Sequence, residues 1–478
     1  MFKPYAHQTK CFEINKTRRF FGYLMDMGTG KSKVLLDTLM YLIDQKKIDA
    51  LMVFSNKGSY ANWVTEHLPT HLSDKIPVDI CLWRASMTKK GKENLRNLAK
   101  NDGKLKIFIM NIEALSYDRS FKVALNFVKT HKTFSTIDES TMIKNHKSAR
   151  TKAAWKIRDV STARRILTGS VADNRPLDVW AQFEFLSNGC LGYKSYYAFR
   201  NQYADLEEKE IRTPQGFRKF KVVKGYKNLD RLRESIAKVS FIIKKKDCLD
   251  LPPKVYQRVN VELTPEQKTL YDQLSQNLMA FVDGEVMTVK IILTKMLRLH
   301  QLVCGHMKDD EGKIHKIKNN RIPALMEVLE ETNGMAIIWA NYREDIFEIT
   351  RELKKEYGQG AVLSYFGDTS DKDRDYAKKV FKRGADSEGV RFLVGNTQTG
   401  AYGLTLTGAN TVIYYSNNFD AEKRNQSEDR AHRIGQTDRV NYVDLVSPGT
   451  IDEKILAALR QKKSLSDVIT MSNWKEFV

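Results

Sequence analysis

The stretch MDMGTGKSK, residues 25–33, lies between the apolar run FFGYL and the periodic stretch VLLDTLMYLI. Aromatic and apolar residues, then glycines, then apolar residues at helical spacing predict a strand, a tight turn and a helix. Gly28 and Gly30 let the backbone turn sharply enough for several N–H groups to face one phosphate, with Thr29 between them. Lys31 adds a point charge, Ser32 a hydroxyl suited to Mg2+, and the helix its positive end. Against the pattern G-x-x-x-x-G-K-[ST], Met25 stands in place of the first glycine, so the match is partial.

Outward from this loop, short β-prone runs alternate with helical patterns: FGYLMD, ALMVFS, KIFIMN, FSTIDE and RRILTG. That rhythm predicts a parallel sheet covered by helices. It restarts near residue 335 with MAIIWA, AVLSYF, RFLVGN, TVIYYS and VNYVDLV, which predicts a second sheet. The expected class is α/β, with two parallel-sheet lobes and a helical, basic insertion between them. The segments are a first lobe at 1–175, an insertion at 176–250, a linker and helical entry at 251–320, and a second lobe at 321–478. Pro252 and Pro253 in LDLPPKV forbid helix and mark the link between the halves. Within the insertion, residues 212–227 carry six basic and no acidic side chains, and Pro214 and Gly216 predict a hairpin turn.

The 478 residues are too many for one ordinary core, and 42% hydrophobic content predicts a folded chain. A formal net charge of +21 favours a polyanionic partner. No apolar run approaches the ~20 residues of a bilayer span, so the expectation is a soluble protein without membrane contact, cytoplasmic in a bacterial cell or in a host cell if viral; a monomer is expected as well. Five scattered cysteines without a C-x-x-C pair predict reduced thiols, and Cys304 with His306 is a poor metal pair.

Two further pieces carry chemistry. In STIDES, Asp138 and Glu139 close an apolar strand, where one carboxylate can hold magnesium through water and the other can orient and deprotonate an attacking water. In QSEDRAHRIGQ, Arg430 and Arg433 are one helical turn apart, and two guanidinium groups on one helix face suit a transferring γ-phosphate. The cradle belongs to the first half and the arginines to the second, so the expected site is complete only when the halves close.

The order of these pieces resembles the Swi/Snf-type ATPases of helicase superfamily 2. YAHQ is similar to the motif that reads adenine, which puts Gln8 there; MGTGKS, IDESTMIKN and RRILTGSVADNRPLDVW resemble motifs I, II and III. NTQTGAYGLTLTGANTVIYYSN and DRAHRIGQ resemble the later motifs, and the first of these adds Gly403 to the nucleotide contacts. The resemblance implies RecA-like lobes, ATP and Mg2+ as cofactors, and stepping along double-stranded DNA without strand separation. The family's D-E-A-H is DEST here, with Ser140 and Thr141 in the last two places, which bears on how hydrolysis couples to DNA; Val171 replaces an expected proline.

Loops at strand ends are the expected backbone-phosphate contacts: Lys57, Asn111, Lys144 and Asn145, with Lys219, Lys221, Lys244 and Lys245 as further basic contacts. The reading is an ATP-dependent double-stranded DNA translocase that displaces or remodels bound proteins. Its rivals are a strand-separating DNA or RNA helicase and an ATP-gated DNA clamp with weak turnover.

Overall fold

The apolar run ahead of the glycines forms strand β1, Phe20–Met25, and the periodic stretch behind them forms helix α2, Lys31–Asp44; helix α1, Ala6–Asn15, precedes both. The computed structural model describes residues 3–169, 176–213, 216–282, 289–309, 311–382, 387–400 and 404–461. The chain divides into two units, Met1–Leu249 and Asp250–Val478.

In the first unit, β2 is Ala50–Ser55, β3 Val78–Leu82, β4 Leu105–Asn111, β5 Thr133–Asp138, β6 Ala163–Thr168, β7 Ala204–Thr213, β8 Gly216–Tyr226 and β9 Ser240–Ile243. Seven of these form one parallel sheet in the order β3-β4-β2-β5-β6-β1-β9. Every residue of β2 is buried, as a strand with helices on both faces requires. Its side chains alternate between two cores: Ala50, Met52 and Phe54 pack with one, Leu51 and Val53 with the other.

The expected insertion is part of this unit. Leu177, Phe183, Leu186, Phe199, Leu232 and Ile236 join the first core, and β9 pairs with β1 through Gly22↔Ser240 to Met25↔Ile243. Only the hairpin of β7 and β8 stands apart as a two-stranded sheet. Its register opposes the basic strand with an acidic one, Glu210↔Lys219 and Glu208↔Lys221, so a stretch that is purely basic in sequence is partly neutralised across the ladder. Pro214 and Val171 lie outside the described residues.

In the second unit, β10 is Lys254–Asn260, β11 His306–Lys308, β12 Ile314–Lys316, β13 Met335–Trp339, β14 Val362–Tyr365, β15 Phe392–Gly395, β16 Ala409–Tyr414 and β17 Val440–Val446. Six form a parallel sheet, β10-β17-β16-β13-β15-β14. The expected linker thus supplies an edge strand, β10, directly after the two prolines. Ala336 and Ile338 face one core of this sheet, Ile337 and Trp339 the other.

A buried polar cluster ties the helices of this unit to its sheet. Arg321, 1% exposed, bonds Asp452 and the Tyr415 carbonyl, and donates to the Val303 carbonyl at 3.2 Å. His306 lies 3.2 Å from Asp345, and Cys304 is buried beside them. All five cysteines are free. Among the described residues no group of three or more His, Cys, Asp or Glu is placed to hold a metal ion, and no helix is long and apolar enough to cross a membrane.

Candidate nucleotide site

The phosphate loop sits at the carboxyl end of β1. Gly28 at φ +79° and Gly30 at φ +90° occupy the left-handed region that glycine adopts without strain. No side chain caps the first turn of α2, so its leading N–H groups are presented to whatever binds there. The loop is braced from behind by α1: His7 Nε2 lies 2.8 Å and Gln8 Nε2 3.0 Å from the Thr29 carbonyl. A Cβ at Gly30 would come within 2.1 Å of Gln8 Nε2, so this glycine is required for close approach as well as for its φ. Gln8, 5% exposed, is therefore a brace of the loop itself.

Lys31 Nζ reaches back to the Met25 carbonyl at 2.7 Å and the Asp26 carbonyl at 3.1 Å, which holds the ammonium over the loop. Thr29 Oγ1 bonds the Asp26 carbonyl at 2.7 Å, closing the turn. Ser32 follows in the first turn of α2, half-buried.

The acidic pair lies at the end of β5, separated from β1 by β6 alone. Asp138 accepts from Trp63 Nε1 at 3.0 Å and Ser55 Oγ at 3.1 Å, both on Oδ2. Glu139 is 8% exposed and sits at φ +63°, an uncommon place for a residue with a Cβ and one often found at functional sites. Its Oε1 accepts from Thr141 at 3.1 Å and from Thr168, the last residue of β6, at 3.3 Å. Gly169, next in the chain, lies against the loop, where a Cβ would stand 3.1 Å from the Met27 side chain. One edge of the sheet thus gathers the glycine loop, Lys31, Ser32, Asp138 and Glu139. The uncapped helix start suits a phosphate, and a hydroxyl beside a carboxylate suits a hard cation such as Mg2+.

The expected duplex contacts divide. Asn111 ends β4, and Lys57, Lys144 and Asn145 follow the carboxyl ends of β2 and β5; the three strands are neighbours in the sheet. Glu113 joins the first two, accepting from the Lys57 backbone N–H at 3.5 Å and from Asn111 Nδ2 at 3.4 Å. Lys144 is exposed and 3.7 Å from Asp178; Asn145 is exposed as well. Lys219 and Lys221 are exposed on the hairpin, Lys219 3.3 Å from Glu208. Lys244 is exposed beyond β9, but Lys245 is 8% exposed and gives its backbone N–H to Asp26 at 2.8 Å. The pairing of β9 with β1 draws Lys245 in beside the phosphate loop, so it is not placed as a duplex contact.

In the second unit the helix holding Arg430 is Ala421–Ala431, and Arg433 lies beyond its end. The shared helix face expected from sequence is not what unites the two arginines. The Leu404 carbonyl does so, accepting from Arg430 at 3.3 Å and from Arg433 at 3.2 Å. Gly403 lies outside the described residues. Trp63, Ser55, His7 and Thr168 are not singled out by the sequence; their roles come from elements remote in the chain.

These two parallel sheets, one with a phosphate loop and an acidic pair at neighbouring strand ends, define a nucleotide-binding α/β architecture. The chain belongs to the SNF2-related family: the SNF2-related domain matches residues 16–308 and the helicase conserved C-terminal domain residues 318–435. It is similar to a candidate ATP-dependent helicase/translocase of Bacillus subtilis, YwqA, with 30% identity over 359 residues covering 72% of this chain and 36% of that protein. It is also similar to an uncharacterized ATP-dependent helicase of Mycoplasma genitalium, with 26% identity over 465 residues, 95% of this chain and 41% of that one. The chain therefore spans well under half the length of these relatives. Among solved structures, the Sulfolobus solfataricus SWI2/SNF2 ATPase core in complex with dsDNA covers 100% of this chain at 24% identity and a TM-score of 0.43, with 95% of its own length matched.

Proposed function

We propose that the chain is an ATP-hydrolysing motor that steps along double-stranded DNA and displaces or remodels proteins bound there. The observation that carries this reading is the convergence of the glycine loop, Lys31 and the Asp138–Glu139 pair at adjoining strand ends of one sheet. Gly28, Thr29, Gly30 and Lys31 hold the phosphates through backbone N–H groups and one ammonium. Ser32 and Asp138 would hold Mg2+, which when bound would supply positive charge to the phosphates. Glu139 takes the proton of the attacking water. Arg430 and Arg433, carried by the second unit, supply positive charge to the transferring phosphoryl group. The strand-end row of Lys57, Asn111, Lys144 and Asn145, with a net charge of +21, supports binding to backbone phosphates, sequence-indifferent and salt-sensitive.

Two measurements test the reading. Steady-state ATP hydrolysis should rise on addition of linear duplex, and ATP should drive removal of the third strand from a triplex without separating a duplex. Efficient unwinding would replace it with a helicase, and hydrolysis indifferent to DNA with a clamp. Glu139→Gln should still bind ATP and DNA but hydrolyse about a hundredfold or more slowly, the scale of losing a positioned base; normal turnover would remove Glu139 from the mechanism.

A further inference from the structure

The acidic turn of this chain carries two hydroxyls, Ser140 and Thr141, directly behind the carboxylate pair. Both are engaged, and toward different partners. Ser140 Oγ, fully buried, donates to Gln182 Oε1 at 2.6 Å. The orientation of that amide is set in turn, because Gln182 Nε2 donates to the Asp178 carbonyl at 3.1 Å. Thr141 Oγ1 instead points back along the turn and donates to Glu139 Oε1 at 3.1 Å. Two backbone bonds close the turn, Met142 N–H to the Glu139 carbonyl at 3.1 Å and Lys144 N–H to the Thr141 carbonyl at 3.2 Å.

A carboxylate at the end of three rotatable bonds has no fixed direction of its own. Glu139 gains one because donors from two sides, Thr141 in its own turn and Thr168 on β6, meet on the same oxygen. Fixing Oε1 from two directions fixes the plane of the carboxylate, and with it the direction in which Oε2 points. Ser140 cannot do this work, since its proton is given to Gln182; it anchors the turn that aims Thr141.

We propose that Thr141 is a positioning residue for hydrolysis: its hydroxyl, with Thr168, clamps Oε1 of Glu139 so that Oε2 receives the proton of the attacking water. In that step a water O–H bond breaks as its oxygen bonds the γ-phosphorus, the proton passes to Oε2, and the bond to the ADP oxygen breaks. The proposal rests on the reading of Glu139 as the base, and its test separates the two.

The full chain is compared as parent, Thr141→Val, Thr141→Ser and Glu139→Gln, by steady-state ATP hydrolysis with saturating duplex. Thr141→Val keeps the shape and loses the hydroxyl, so kcat should fall about tenfold, the scale of one hydrogen bond to a charged group. KM for ATP should stay within about twofold, because uniform binding is untouched. Thr141→Ser restores the donor and should recover kcat to within about twofold of the parent. A Thr141→Val enzyme at the parental rate beside a disabled Glu139→Gln overturns this proposal and leaves the base reading standing. A Thr141→Ser enzyme as impaired as Thr141→Val also overturns it, since the methyl contact would then be what matters. A Glu139→Gln enzyme at the parental rate overturns both. Binding of a fluorescent ATP analogue confirms that each variant is folded, and Thr141→Ala supplies the same comparison if the valine does not fit.

Discussion

Replacing Gly30 by alanine tests the phosphate loop at its tightest point. The residue sits at φ +90°, where a side chain costs roughly 1–2 kcal/mol relative to glycine. Its new Cβ would also stand 2.1 Å from Gln8 Nε2, closer than any real contact allows. That nitrogen is the end of a flexible side chain, so Gln8 would swing away and give up its bond to the Thr29 carbonyl, worth about 1 kcal/mol. The further loss is small, because His7 still serves the same carbonyl and the Tyr5 N–H, which donates to Gln8 Oε1 at 3.0 Å, can turn to water at an exposed helix start. The expected cost of Gly30→Ala to the first unit is therefore about 2–3 kcal/mol. In a Gln8→Ala background only the backbone strain remains, roughly 1–2 kcal/mol. Urea unfolding of the four proteins of this cycle should give a coupling near 1 kcal/mol between the two sites. Additivity within roughly 0.3 kcal/mol would refute the brace, and a Gly30→Ala protein as stable as the parent would refute the geometry of the loop itself.

Arg433→Ala should bind ATP but lose hydrolysis by roughly three decades in a DNA-stimulated assay, the scale of removing an arginine finger; an unchanged rate would exclude it from the reaction. A second expectation concerns pH. Burial pushes the pKa of His300 from 6.5 down to about 4, opposed by Asp452 and reinforced by Arg321 and His306. The unfolded chain then binds a proton that the folded one refuses, so this contribution is fully present above about pH 6.5 and is lost as pH falls toward 4, amounting to about 3 kcal/mol. Buried Asp345 acts in the other direction, its carboxyl raised chiefly by burial. The urea midpoint of the second unit should fall between about pH 7 and about pH 5, and His300→Gln should flatten that dependence; a slope unaffected by the substitution would place the titrating group elsewhere.

What the sequence determined by itself is local. Glycines at 28 and 30 followed by Lys31 demand a turn with exposed N–H groups, whatever lies around it. Short, near-continuous apolar runs specify strands buried on both faces, and ten such runs appear in the two sheets where their composition placed them. Weaker runs were not legible this way. SFII and KVYQRVN are short or polar, and they become strands β9 and β10 because an open sheet edge accepts them.

Only the tertiary structure decided which distant residues share one oxygen. Asp138 and Glu139 could be named from their place at a strand end, but Trp63, Ser55 and Thr168 hold them because β2, β5 and β6 are neighbours in the sheet. Spacing alone put Arg430 and Arg433 on one helix; folding ended that helix at Ala431 and joined them through the Leu404 carbonyl instead. Charge behaves in the same way: Lys245 is basic in the chain but buried in the fold, because the pairing of β9 with β1 ties its backbone to Asp26. Backbone turns and strand period follow from neighbours within a few residues, whereas burial and hydrogen-bond partners follow from strand order, which no short stretch contains.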